Sequence, residues 1–339
     1  MLRTRILGTG FVTGENLVKN EAIAGLMDTS DQWIRERSGV EQRYYVEKGT
    51  TTSDLGLGAA RKALDDAGVR AEEVDYIVFA TMTPDYFFPG CGGILQHKLG
   101  LGPIPALDIR QQCTGFIYGL RTVLLVGAEV HSGFMPWHHW DFVFGRGGEP
   151  PTEEEKAWIT RFRDRTVLFG DAGGACVLRG AEGERGLLGF QLHSDGKDFQ
   201  SLYVPACGFA QRPYVSESDL REGRHIPEMN GKHVFKQAVT RMPQVVREVC
   251  SRNGVEVRQL DLLIAHQANL RINEMVQRAL ELPDEKVFNN IQRYGNTTAA
   301  TIPIALDEAR KAGRVKDGNL VCFVGLGAGF HWGAALMRA

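Results

Sequence analysis

Two stretches of this chain echo each other at a constant offset of 186 residues. AGVRAEEVDYIVFA ends in a short apolar run, and NGVEVRQLDLLIAH does the same further on. Gly68 matches Gly254, Val69 matches Val255 and Asp75 matches Asp261. A second pair follows in the same order, GACVLR at 174–179 and GAALMR at 333–338. Two echoes in one order favour an internal duplication. The period is far too long for a solenoid. The sequence therefore predicts two similar halves, residues 1–185 and 186–339, sharing one core.

Within each half, strand and helix patterns alternate. RTRILGTGFV reads as a strand. Leu55 to Gly68 reads as an amphipathic helix stopped by a glycine. Asp75–Ala80, Ala106–Ile109 and Val123–Val126 read as short buried strands, and Val239 to Arg252 as a helix. This is the pattern of an α/β protein with largely parallel strands. Residues 131–165 break the rhythm. They begin rich in aromatics (Phe134, Trp137, Trp140, Phe142, Phe144), turn at Gly and Pro, and enter a helix. Thr152 with Glu155 makes a capping box at its start. Insertions of this length often line sites or interfaces.

Composition excludes several classes. With 339 residues, a net charge of −2, 43% hydrophobic and 24% charged residues, the chain is neither disordered nor basic enough for a nucleic-acid binder. No apolar run is long enough to cross a membrane, and the N-terminus does not read as a signal peptide. The six cysteines, at 91, 113, 176, 207, 250 and 322, are scattered without a CxxC pair. Reduced thiols in the cytoplasm, with no metal site and no disulfide framework, are the expectation.

Three residues stand out chemically. Cys113 follows the strand IPALDIR and opens an apolar helix, where the helix dipole lowers a thiol pKa. A small core residue at a strand–helix junction is the alternative. His266 ends the strand LLIAH, the position where α/β sheets hold ligands, though a lone histidine there is more often a hydrogen-bonded structural residue. Asn296, in RYGNTTAAT, reads alone as a turn or cap residue. The loop GLGAGFHWG, 325–333, has four glycines and lets backbone N–H groups approach a substrate. It precedes a strand rather than a helix, so it is not a nucleotide fingerprint.

Seven segments together resemble the ketoacyl synthase III branch of the thiolase superfamily. They are TSDQWIRERSGVEQR, CTGF, FGDAGGACVL, GKHVFKQAV, HQANLRI, YGNTTAATIPIALDEA and GAGFHWGAAL. The resemblance implies a five-layered αβαβα fold from two duplicated halves, and a homodimer. It implies a catalytic triad of Cys113, His266 and Asn296, and an oxyanion hole from the backbone N–H groups of Cys113 and Ala328. Acyl transfer to Cys113, then Claisen condensation with a malonyl- or ketoacyl-carrier-protein thioester, is the implied activity. His266 and Asn296 would both donate to the second thioester's carbonyl oxygen. Coenzyme A or phosphopantetheine thioesters enter as substrates, with no permanently bound cofactor and with acyl carrier protein as partner.

Trp33 and Arg37 match positions contacting the nucleotide end of coenzyme A, while Gly231, Phe235, Ala268, Asn269 and Arg271 match the pantetheine tunnel. Phe88 matches a residue reaching the partner's acyl pocket. The chain departs from the family pattern at Lys232, where relatives carry Asn, and in the insertion, whose aromatics would roof a larger acyl site or build a dimer surface. The insertion leaves open whether Arg163 or Arg165 faces coenzyme A. Only Cys113 to Thr122 separates the nucleophile from the next strand, near the minimum for a parallel crossover; either the helix is trimmed there, or two family segments are joined directly after Leu120 with residues absent between them. A secondary-metabolism synthase joining two acyl chains, an ester- or amide-forming acyltransferase, a cysteine hydrolase and a non-catalytic partner subunit are the competing readings. The complete triad weighs against the last.

Overall fold

The structure, a computed structural model, describes residues 2–111, 113–120 and 124–339. Its apolar runs build two five-stranded mixed sheets. The first comprises β1 (Leu2–Thr13), β2 (Ile77–Ala80), β3 (Ala106–Ile109), β4 (Leu124–Glu129) and β5 (Ala172–Glu182). The second comprises β6 (Gly186–Ser194), β7 (Leu262–Ala265), β8 (Val287–Phe288), β9 (Leu320–Gly327) and β10 (His331–Arg338). The strand orders are β1-β5-β4-β2-β3 and β6-β10-β9-β7-β8. In each sheet the first two pairings are antiparallel and the last two parallel. Every strand thus has a counterpart, as a duplication requires.

The sequence echoes fall on equivalent places. Asp75 and Asp261 precede β2 and β7. Gly174 in β5 lies opposite Gly127, and Gly333 in β10 lies opposite Gly325. A Cβ at Gly127 would meet the Ala299 carbonyl at 2.4 Å, and one at Gly325 the Cys113 carbonyl at 3.1 Å. Each glycine pair therefore admits a loop belonging to the other half.

Eight helices matter here: α1 (Asp31–Ser38), α2 (Thr52–Ala67), α3 (Cys91–Lys98), α4 (Gly115–Gly119), α5 (Glu153–Thr160), α6 (Gly231–Arg252), α7 (Leu270–Ala279) and α8 (Thr301–Lys311). The buried alanine and leucine stripe of α2 packs with α3 on the outer face of the first sheet. The short α4 and α8 lie between the sheets, where Phe116, Ile117, Ile302 and Leu306 meet Val78, Leu125, Ile264 and Phe323. On the outer face of the second sheet lie α6 and α7. The result is five layers, αβαβα. Helix α2 starts before its apolar stripe because Thr51 and Asp54 form a reciprocal capping box, and it stops where Gly68 takes φ 61°. Among the described residues, no helix is long and apolar enough to cross a membrane.

The insertion departs from expectation. Trp137, Trp140, Phe142 and Phe144 do not line the cavity at Cys113. Trp137 is 2% exposed and packs with Tyr45, Val18 and Met135, and Trp140, Phe142 and Phe144 lean on the same cluster. They build a small core beneath the α1 region, and truncating Trp137 there costs about 3–5 kcal/mol. Helix α5 carries the expected Thr152–Glu155 capping box. The strand expected over Val123–Val126 is present from Leu124 on, and Val123 lies outside the described residues. The short link expected after Leu120 falls on residues 121–123, outside the described residues.

Candidate active site

Cys113 sits four residues beyond β3 and half-buried. It does not open a helix, for α4 begins at Gly115 with Thr114 as its N-cap. Five residues make a weak dipole, and burial outweighs it. Burial and the nearby Glu129 carboxylate push the thiol up to about 12, while the N–H groups of Ala328 and of Cys113 itself pull the other way. The resting group is therefore a thiol, against the lowered pKa expected from the sequence. Both N–H groups lie near the Cys113 side chain. The end of β9 passes so closely that a Cβ on Gly327 would lie 2.7 Å from Cys113 Cβ and 3.3 Å from Sγ. Only glycine fits there.

His266 follows β7 directly and is 2% exposed. Its backbone N–H donates to the Val324 carbonyl at 2.8 Å. Its Nδ1 lies 2.7 Å from Thr301 Oγ1, whose own hydroxyl donates to the Thr298 carbonyl at 3.0 Å. With that proton committed, the hydroxyl accepts from Nδ1–H, and Nε2 carries the lone pair. Burial drops the imidazole pKa to about 3, so the ring is neutral. Among the described residues, no group pairs with Nε2.

Asn296 is held by its backbone and by its side chain. Its N–H donates to the Leu168 carbonyl at 2.7 Å, and its own carbonyl accepts from Gly170 N–H at 3.2 Å. Gly295 turns the chain at φ 66°. Asn296 Oδ1 accepts from Thr298 N–H at 2.9 Å. The carboxamide oxygen is thereby occupied, and the NH₂ end is left to donate. Thr298 holds φ 48°, a strained position for a β-branched residue and one that clusters at functional sites. Glu129, at the end of β4, ties this turn to the loop after β2. It accepts from Thr81 Oγ1 at 3.0 Å, Thr83 Oγ1 at 2.6 Å and Met82 N–H at 3.1 Å, and the Thr298 side chain lies near it.

All three residues line one cavity of about 290 Å³. The sequence pattern singled out none of Thr298, Thr301, Glu129, Met82 or His131, although each touches the cavity or a residue that does. A hydroxyl that orients an imidazole has no spacing signature; TTAAT beside Asn296 was the only trace.

Trp33, Arg37, Gly231, Phe235, Ala268 and Asn269 also line the cavity. Arg37 and Gly231 are exposed and mark its mouth. Ser30 caps α1 by accepting from Trp33 N–H, and Trp33 and Arg37 share one helix face, the guanidinium 4.4 Å from the indole centroid. Arg163 approaches the same indole at 4.9 Å, whereas Arg165 pairs with Asp164. Asn269 caps α7 and donates to the Arg37 carbonyl at 3.0 Å. Arg271 does not line the cavity. Its guanidinium bonds Glu274 and the carbonyls of Glu36 and Arg35, tying α7 to α1. Phe88 also stays off this cavity; it is 80% exposed, edge-on to Phe87. Lys232 is exposed beside Gly231.

The chain is similar to known proteins over its whole length. Residues 250–339 match the family model described as 3-oxoacyl-[acyl-carrier-protein (ACP)] synthase III C terminal. A beta-ketoacyl-[acyl-carrier-protein] synthase III of Bordetella petrii is 40% identical over 350 residues, covering 98% of this chain and 97% of that one. The crystal structure of 3-oxoacyl-[acyl-carrier-protein] synthase III from Aquifex aeolicus VF5 superposes with a TM-score of 0.84 at 34% identity, covering 99% of this chain and all of that one. The priming beta-ketosynthase of the R1128 polyketide pathway gives 0.84 at 27% identity, with 99% and 96% covered. Two sheets with matching strand orders, a cysteine, a histidine and an asparagine on one cavity, and identity of this extent leave one assignment: the chain belongs to the beta-ketoacyl-[acyl-carrier-protein] synthase III family of thiolase-fold condensing acyltransferases.

Proposed function

We propose that the chain loads an acyl group onto Cys113 from an acyl thioester, then joins it to a malonyl- or ketoacyl-carrier-protein thioester. The convergence of thiol, neutral imidazole and donor-oriented carboxamide on one cavity carries this reading. A thiol near pKa 12 needs a base, and the His266 Nε2 lone pair is the one on hand. In loading, Nε2 takes the thiol proton as Cys113 attacks the thioester carbonyl, and returns it to the departing thiolate. The N–H groups of Cys113 and Ala328 meet the developing oxyanion.

In the second step, with a malonyl donor, the C–CO₂ bond breaks and its electron pair becomes an enolate. The enolate carbon attacks the Cys113 thioester, and the thiolate leaves. Asn296 donates through its NH₂ to the enolate oxygen. His266 must donate as well, which its resting tautomer does not allow. The Thr301 hydroxyl resolves this: rotated toward Nδ1 it becomes the donor, and the ring proton moves to Nε2.

Trp33 and Arg37 take the nucleotide end of coenzyme A, with Arg163 rather than Arg165 beside them. Gly231, Phe235, Ala268 and Asn269 wall the pantetheine arm, and Arg271 acts by holding the helix that carries Arg37. The two halves meet near 185/186, between β5 and β6. A homodimer is supported by the exposed edge strand β3, with Leu107 47% exposed, and by exposed Tyr86, Phe88 and Phe209. Phe88 then reaches the partner's acyl pocket. Six unpaired thiols support a reducing, cytoplasmic setting. A polyketide-priming role is the second reading, favoured by the R1128 neighbour.

Intact-mass spectrometry tests the function. Mixed with a panel of acyl-CoAs and acyl carrier proteins, the protein gains an acyl adduct that is absent in Cys113→Ala. Malonyl carrier protein then discharges it as a ketoacyl product. Discharge as free acid supports a hydrolase, and no adduct from any donor supports a silent partner subunit.

A further inference from the structure

A second imidazole lines the same cavity as Cys113, His266 and Asn296. His131 is 2% exposed. Its ring lies flat on Phe169, with centroids 3.7 Å apart and planes within 5°. Phe169 is joined to Asn296 by a backbone bridge, so His131 stands one stacked ring from the turn that holds the carboxamide. Outside its own backbone, no group among the described residues pairs with either ring nitrogen. Burial drops the ring to a pKa of about 3 and keeps it neutral. It therefore offers one N–H and one lone pair.

Buried polar atoms are almost always paired. Behind the ring, a void of about 10 Å³ shared with Arg165 and Thr166 has room for one water at most. A water there would serve one nitrogen, and the other is then available to a molecule in the reaction cavity. The cavity walls contributed by Met82, Val167, Leu168, Phe169 and Leu202 are apolar and suit a hydrocarbon chain. An imidazole among them is desolvated for no return unless the bound molecule brings a polar atom of its own.

We infer that His131 is a specificity residue that donates a hydrogen bond to an oxygen substituent on the acyl group held in this cavity. The preferred donor is then a hydroxyacyl or oxoacyl thioester rather than a plain alkanoyl one. This rests on the condensing-enzyme reading. A pocket built to bond a substrate oxygen discriminates against the analogue that lacks it, because the analogue leaves the buried group unpaired.

The test measures loading rates onto Cys113 by intact mass, using acyl-CoAs of equal chain length with and without a 3-hydroxy or 3-oxo group. Wild-type protein should favour the substituted donors by about tenfold or more. His131→Leu should erase that preference while loading the plain acyl group as fast or faster. His131→Gln, which keeps a donor, should retain part of the preference and guards against a leucine variant that fails to fold. Equal loading of both donor types by wild-type protein overturns the inference and leaves the condensing-enzyme reading standing. So does a preference that survives in His131→Leu, or a defect in His131→Leu confined to the malonyl step. No loading from any donor overturns both.

Discussion

Thr301→Val isolates the hydroxyl that governs the His266 proton. Valine keeps the branched shape of threonine and deletes one polar atom. In the native protein that atom lies 2.7 Å from His266 Nδ1 and 3.0 Å from the Thr298 carbonyl. Without it, Nδ1–H faces a methyl group inside a site where His266 is 2% exposed. An unsatisfied buried donor costs about 1–3 kcal/mol, which corresponds to roughly 5- to 150-fold in any step that needs the ring in place. Both loading and condensation use Nε2, so both rates should fall by a factor in that range. Single-turnover intact mass reads loading, and product formation from pre-loaded enzyme reads condensation. Thr301→Ser keeps the hydroxyl and should stay close to wild type. A Thr301→Val protein that folds normally and performs both steps at wild-type rates refutes the assignment of the proton to this hydroxyl.

Four further outcomes are expected. Alkylation of Cys113 by iodoacetamide, followed by peptide mass, should rise about tenfold per pH unit from pH 7 to 10; a plateau below pH 8 would reveal a thiolate that burial does not permit. Gly327→Ala places a methyl within 2.7 Å of Cys113 Cβ and should slow loading by about 10²-fold through displacement of the nucleophile, whereas unchanged loading would show that β9 yields freely. Asn296→Asp should still form the acyl-enzyme but condense about 10²–10³-fold more slowly, since a carboxylate repels the enolate it replaces a donor for; normal condensation contradicts this role. Burial lifts the Glu129 carboxyl from 4.5 to about 7, so the folded state holds its proton more tightly than the unfolded chain does. That contribution, on the order of 3 kcal/mol, is full below pH 4.5 and lost as pH rises through 7. Urea midpoints of wild type should therefore fall between pH 5 and 7.5 relative to those of Glu129→Gln, and parallel curves would count against it.

The duplication was legible because it leaves two echoes in the same order in both halves. Asp75 and Asp261 precede equivalent strands, and Gly174 and Gly333 each lie opposite a glycine that admits a loop of the other half. Helix α2 was visible from its stripe, but its true start lay in a polar capping box ahead of the apolar pattern. Cys113 was found by its place after a strand, yet its protonation was misread. Strand-to-helix position suggested a dipole, while the short α4 and the buried Glu129 decide the matter in three dimensions. The insertion's aromatics gave hydrophobicity without direction, and only the fold shows them packed on Tyr45. Thr301 and His131 act through contacts across 35 and 38 residues of chain respectively, to His266 and Phe169. No local pattern encodes such contacts.

The most direct measurement separates the two half-reactions in Cys113→Ala, His266→Ala and Asn296→Ala, with loading followed by mass and carbon–carbon bond formation by labelled malonyl carrier protein. Cys113→Ala should lose both, His266→Ala should be slowed in both, and Asn296→Ala should load normally yet fail to extend. If the histidine and asparagine variants make ketoacyl product at the native rate, the two halves do not share one reaction centre.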